Sequence, residues 1–424
     1  AMNGLLVNGT DPDSGDSLSL APASVGTFAT TAGGSITTLA DGSFTYTPQA
    51  GDAGVMDTFA YTVQDDDGLT DSATVTFNVD SNTIWFVDLD AGTTGDGTLN
   101  NPFDSLADLD NGGPDADGST IFHYSSTMGT QTDALGDDFD LQASQLLIGE
   151  GAPGTGTINN LRGFTTHPHS PTLPSIGAAA NHTITSSANG GITLATGNTI
   201  SGIDIGNTVG SGISGTSFGT FTVEDVLIGG TGQALDLDTG SIAGAGFTSV
   251  SSSSGTRNIS LVGIGGTLNL GAGSLSGASA QAFFVDGGTG TVSYSGSIGN
   301  TASRVAEIQN KTGGAVTLSG TLNSTGTGIR VANNSSGTTI TFSGSSKVLN
   351  TGTSPAVTLS SNTATTINFT NGGLDIDTTS GTGFSANSGG TVNVTGAGNT
   401  IDTAGTAVNI INTVVGGSGV SFAS

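Results

Sequence analysis

Carboxylates carry most of the chemical potential in this sequence. Two tight groups lie near its start: Asp11, Asp13 and Asp16 in "DPDSGD", and Asp65, Asp66 and Asp67 in "QDDDG". Ca²⁺ takes roughly six to eight hard oxygens, and close-spaced carboxylates in turns provide them. Both groups are therefore candidate calcium ligands, with solvated turn aspartates as the competing reading. Neither is an EF-hand, because the position-12 glutamate and the flanking helical pattern are missing. Farther along, Asp236/Asp238 in "LDLD" and Asp375/Asp377 in "LDID" alternate with leucine and isoleucine. The two acids of each pair are expected on one outward strand face. A glycosidase places two carboxylates across the bond it breaks, but paired outward aspartates equally fit solvation or cation binding. Glu224/Asp225 in "VEDV" offers one outward acid on a regular strand.

Other reactive groups are sparse. Cysteine is absent, so the fold relies on burial and backbone hydrogen bonds, a composition compatible with an exported chain and with a cytosolic one. Three of the four histidines fall at 167–182, two of them as His167 and His169 in the proline-rich "RGFTTHPHSPTLPS". A zinc site there needs further ligands from His123 or His182; a polar surface loop is the simpler reading. The basic residues Arg162, Arg257, Arg304, Lys311, Arg330 and Lys347 are scattered against 34 acids, for a formal charge of −28. No basic patch is legible, so nucleic acid is excluded as a partner, and anionic membrane surfaces are disfavoured. No apolar run is long enough to span a membrane.

The elements that must position these groups are strands. Seventy-one glycines and abundant serine and threonine, with no sustained helical period, predict an all-β chain. Over residues 1–80 the sets Phe44/Tyr46, Phe59/Tyr61/Val63 and Ala73/Val75/Phe77/Val79 alternate with polar residues, and "ADGS" at 40–43 reads as a hairpin turn. This predicts a small antiparallel sandwich.

A different rhythm governs the later sequence. An apolar–polar–apolar triplet starts at Leu268, Val292, Val316, Ile340, Ile367 and Val392, with steps of 24, 24, 24, 27 and 25 residues. A second apolar series runs Phe283/Val285, Val305, Ile329/Val331, Val357/Leu359, Phe384 and Val408/Ile410. A third runs Ile298, Leu322, Val348, Leu374/Ile376 and Ile401. Three short strands per period predict one coil of a solenoid, about a dozen coils in all. Asp286, Asn310, Asn333, Asn362, Asn387 and Asn412 are expected to form a turn column with a structural role. The triplet centres, Asn269, Ser293, Thr317, Thr341, Asn368 and Asn393, are expected to face outward.

Two resemblances follow from these residues. "GLLVNGTDPDSGDSLSL", "ADGSFTYTPQAG" and "DTFAYTVQDDDGLTDSATVTFNV" resemble the bacterial cadherin-like/Ig-like repeat domain. That resemblance implies tandem repetition in large surface proteins and calcium at the two aspartate groups. The repeats, with "WFVDLDAGTTGDGTLNNPFDSLADL" and "QLLIGEGAPG", resemble the right-handed parallel β-helix of pectate-lyase-like proteins and autotransporter passengers. None of the basic residues sits in a lyase or polygalacturonase motif.

The expected organisation is a sandwich over 1–80 lacking its first strand, a junction and solenoid cap over 81–112, and a β-helix over 113–424 cut off at its C-terminal end. Pro102 with "FDSLADL" is expected to start a short helix, and Trp85, Phe86, Phe103 and Leu106 to plug the open end of the stack. The expected function is that of an extracellular piece of an adhesin-like bacterial surface protein: a stiff stalk and partner-binding surface without catalysis. Its partners would be a host or cell-surface protein or glycan and neighbouring domains of the same long chain. A polysaccharide-binding or polysaccharide-cleaving β-helix is the alternative, and an ice-binding solenoid a third.

Overall fold

The computed structural model describes residues 4–13, 15–110, 113–126, 132–163, 165–166, 170–177 and 180–423. Only 4% of it is helix. The chain divides into two compact units, Ala1–Trp85 with Asp96–Asn101, and Phe86–Gly95 with Pro102–Ser424.

The first unit is built from alternation. Ser19–Leu20, Met56–Gln64 and Thr70–Asn78 form one antiparallel sheet, and Gly26–Ala29, Ser35–Thr38 and Phe44–Thr47 form the other. Residues two apart share a face, so Phe59 of one sheet meets Phe28 of the other at 5.4 Å between ring centroids. Tyr46 likewise stacks on Phe77 at 4.0 Å. Leu5, Leu6 and Leu20 close one end against Tyr61, Val63 and Val75. The Asp41–Gly42 turn forms as expected. Gly42 takes φ +80°, and Asp41 Oδ1 accepts from the Ser43 amide at 3.0 Å.

The second unit is a right-handed parallel β-solenoid of about 12 turns. Each coil's strands pair in parallel with those of the next, so backbone groups are satisfied from coil to coil and side chains stack in columns. The triplet column is in register throughout: Leu268, Val292, Val316, Ile340, Ile367 and Val392 are consecutive partners. Their centres face out and form lateral hydrogen bonds, including Asn393 Nδ2 to Asn368 Oδ1 at 2.9 Å. Inside, Phe342 and Phe369 stack at 4.8 Å.

Three column assignments shift by one residue. Phe283 pairs with Ala306, not Val305, because the strand there is Ala306–Gln309 and its inward residue is small. Leu322 pairs with Lys347, so a lysine occupies the inward column and Val348 is turned away from it. The left-handed turn positions after the second strand are Gly287, Asn310, Asn333, Ser361, Ser388 and Asn412. Asp286 and Asn387 instead end their strands. Asn362 lies one residue beyond the turn position, buried. There Asn334 Nδ2 donates to Asn362 Oδ1 at 2.9 Å, and Asn362 Nδ2 donates to the Val331 carbonyl at 2.9 Å. The asparagine ladder is thus internal.

The start of the solenoid also differs. Phe103 bridges Val87 in an extended pairing, and a single 3₁₀ turn begins only at Leu106, capped by Ser105 Oγ on the Ala107 amide at 3.1 Å. Phe86, Phe103 and Leu106 are buried in this unit. Trp85 belongs to the first unit, where its indole closes on Gly51; a Cβ there would lie 3.2 Å from the ring.

Candidate functional site

The two aspartate groups converge in part. The Asp65–Gly68 turn and the loop holding Asp11 and Asp16 bring one carboxylate oxygen each from Asp11, Asp16 and Asp65 within 4.8 Å of one another. Oxygens on one Ca²⁺ lie about 2.3–2.6 Å from it and so at most about 5 Å apart. Three hard oxygens at this spacing fit that ion. Asp13, Asp66 and Asp67 are exposed and outside the trio. Asp66 instead receives the Ser17 hydroxyl at 3.0 Å, which ties the loop to the turn.

Asp57 was not singled out in the sequence, although it is the most constrained acid of this unit. Strand parity puts it on the inner face with Phe59, fully buried. Burial alone would raise its pKa. Hydrogen bonds from Thr30, the Ala32 amide, Tyr46 and Thr31 outweigh that and hold the carboxyl well below its usual range. It pins the 30–32 turn of the opposing sheet, and the legible signal was an acid in phase with an apolar stripe.

On the solenoid, Asp236 and Asp375/Asp377 point outward and are exposed, with Asp238 half-buried. Asp375 accepts from Thr400 Oγ1 at 2.6 Å, and Asp377 pairs in register with Asp402 of the next coil. Glu224 and Asp225 do not alternate regularly, because Asp225 sits at a corner with φ +51°. His167 and His169 lie outside the described residues.

His182 opens a buried strand, stacks on His123 at 3.9 Å and accepts the Asp133 amide through Nε2 at 3.2 Å. Burial, then the neighbouring His123, depresses its pKa to about 3. Asp133 binds Ser105 Oγ and the Leu106 amide, each at 2.8 Å, and so anchors the 3₁₀ turn.

Coiling gathers the bases that look scattered in sequence. Arg257 stacks 3.9 Å over the outward Phe284 ring, and its Nε donates to Gln281 Oε1 at 3.1 Å. Gln281 donates to Glu307 Oε2 at 2.9 Å. Glu307 also takes Arg304 at 3.2 Å and Arg330 at 2.6 Å. Arg330 reaches Gln309 Oε1, whose amide donates to Asp286 at 2.9 Å. The Arg304 and Arg330 side chains are each 26% exposed, against 9% for Glu307. Burial, opposed by Glu307 and aided by Arg330, lowers the Arg304 pKa. The cluster was hidden because its members stand about one coil apart.

The two lysines go inside. Lys347 Nζ donates to the carbonyls of Gly344, Thr370 and Gly372, the last two at 3.0 and 2.7 Å. Lys311 Nζ donates to the Gly290 carbonyl at 2.9 Å. Both are buried, which pushes each pKa down to about 8.

Residues 1–81 match the bacterial cadherin-like domain family, about a fifth of the chain. That segment is therefore a bacterial cadherin-like domain, and a parallel β-helix follows it. No curated protein matches the chain. Among solved structures it is similar to the family 28 exopolygalacturonase of Yersinia enterocolitica, at 12% identity, covering 88% of this chain and 83% of that one. The TM-score is 0.22, and so loose a likeness carries no inference about chemistry. No described helix is long and apolar enough to cross a membrane.

Proposed function

We propose that the chain is an extracellular part of an adhesin-like bacterial protein, surface-held or secreted, that extends and contacts a partner without catalysis. The observation that carries this reading is the unbroken parallel ladder behind a cadherin-like domain. Such a ladder resists local opening because each internal coil is hydrogen-bonded to the coil before it and the coil after it. Calcium held by Asp11, Asp16 and Asp65 would neutralise crowded carboxylates and pin the N-terminal loop to the 65–69 turn.

Polysaccharide binding is the second reading, favoured by the arginine cluster. Its two acids fit binding better than acid–base catalysis. Both oxygens of Glu307 and both of Asp286 are already taken by arginine or amide donors. Adhesion of protein-coated beads to bacterial and host cells tests the first reading, and reducing-sugar release from a panel of plant and bacterial polysaccharides tests catalysis. Sustained sugar release would overturn the non-catalytic proposal; beads that adhere no better than albumin-coated ones would overturn the adhesive one.

A further inference from the structure

We propose that the outer face around Arg257, Phe284, Arg304 and Arg330 is a receptor for a single carboxylate carried by an otherwise uncharged glycan. This rests on the partner-contact reading above and adds the ligand's chemistry.

The first ground is charge. In a chain of net charge −28, three guanidiniums share one network with only two carboxylates, Glu307 and Asp286, which leaves one net positive charge. The second is unused donor capacity. Arg257 spends only its Nε on a protein acceptor, and its guanidinium carbon is seated 3.9 Å over the Phe284 ring. Both terminal amino groups of that fork are left without a protein acceptor among the described residues. A planar fork held in place matches a carboxylate bidentately. Arg330 uses only Nη1, on Glu307 and Gln309, so a second fork keeps its other amino group.

The third ground separates glycan from protein. Protein interfaces centre on apolar anchors, but the aromatic here is already covered by Arg257 and only 6% exposed. The column that continues past it carries, after Glu307 and Arg330, Thr358, Ser385 and Asn409 in successive coils. Hydroxyls and amides repeating every coil, about 4.8 Å apart, offer hydrogen bonds to a polyhydroxylated chain. The fourth ground is long-range. A dense polyanion would be repelled by the acidic protein as a whole, whereas one carboxylate meets mainly the local field, since screening acts over about 8 Å in physiological salt.

The test is NMR titration of the full chain at physiological salt with sialyllactose, lactose, polygalacturonate and polyglutamate. Sialyllactose is expected to bind at least tenfold more tightly than lactose. Arg257→Gln is expected to weaken it at least tenfold with an unchanged melting curve. Arg257→Lys keeps the charge without the fork; it is expected to lose part of the affinity and serves if Arg257→Gln misfolds. Equal binding of sialyllactose and lactose, no binding of sialyllactose, or tighter binding of either polyanion per carboxylate overturns the proposal. If Arg257→Gln beads still adhere to cells while sialyllactose fails to bind, this site is refuted and the adhesive reading stands.

Discussion

Lys311 and Lys347 provide a matched pair for testing what a buried ammonium does inside a β-solenoid. Both are almost fully buried, and burial lowers both to a pKa of about 8, from 10.5. A depression of about 2.5 units corresponds to roughly 3 kcal/mol of unfavourable charge burial at pH 7. Replacing either lysine by methionine, of similar shape, removes that cost. It also leaves carbonyls without their donor, at about 1–3 kcal/mol each. Lys347 serves three carbonyls and Lys311 one. The sums differ in sign. Lys347→Met is expected to destabilise by about 2–4 kcal/mol, and Lys311→Met to be neutral or stabilising by about 1 kcal/mol.

Urea unfolding at pH 7 followed by tryptophan-independent far-UV signal, with amide exchange at 343–374 and 288–313, gives both values. Equal shifts for the two variants would refute the reasoning, since donor count would then decide nothing. The pH dependence is a second check. A lysine whose folded pKa lies below its unfolded one gives stability that is present above about 10.5 and lost as pH falls through about 8. The wild-type advantage over Lys347→Met should therefore grow between pH 8 and 10.

Three further outcomes are expected. In the cadherin-like domain, calcium should raise the melting temperature and chelator reverse it; Asp65→Asn should abolish the response and Asp67→Asn preserve it, as read by calorimetry. Asp57→Ala should cost about 3 kcal/mol or more, because it orphans several buried donors. The depressed folded pKa of Asp57 means that its contribution is present above about pH 4 and fades at lower pH, so an acid titration of wild type and variant should converge. His182 is neutral when folded, with a pKa of about 3 against 6.5 unfolded, so stability should fall as pH drops from 6.5 towards 3. The upper limit is about 5 kcal/mol, and His182→Gln should flatten that slope in urea titrations at pH 4–7.

The fold was legible because both of its rhythms are written in large apolar residues. Period-two alternation marks Phe59, Tyr61 and Val63, and the coil period marks Val292, Val316 and Ile340. Where the inward residue is small or polar the signal fails. Ala306 and Lys347 are less hydrophobic than their neighbours Val305 and Val348, and hydrophobicity alone does not count residues through a strand. The buried Asn334–Asn362 rung was displaced for the same reason, since asparagine reads as a turn residue whether it faces solvent or core.

The candidate sites were less legible, and the cause is geometric. The Asp11, Asp16 and Asp65 trio needs two segments about fifty residues apart, and only tertiary packing decides that Asp13 and Asp67 stay outside it. The arginine cluster fails in sequence for the opposite reason, because its order is strict but long. A solenoid converts one coil of sequence into about 4.8 Å of space, so residues roughly 24 apart become neighbours while residues two apart lie farther from each other. Proximity in such a fold should be read modulo the coil length. Applied to the six basic residues, that rule puts Arg257, Gln281 and Arg304 in one line and Phe284, Glu307 and Arg330 in the next. It gives no such neighbours to Lys347, whose direction is set by strand parity and whose charge is met by carbonyls instead of carboxylates. An acidic solenoid can thus hold its cations in two ways. They serve as internal staples where the backbone turns, or as an external cluster where two columns meet, and only the second keeps donors near the surface.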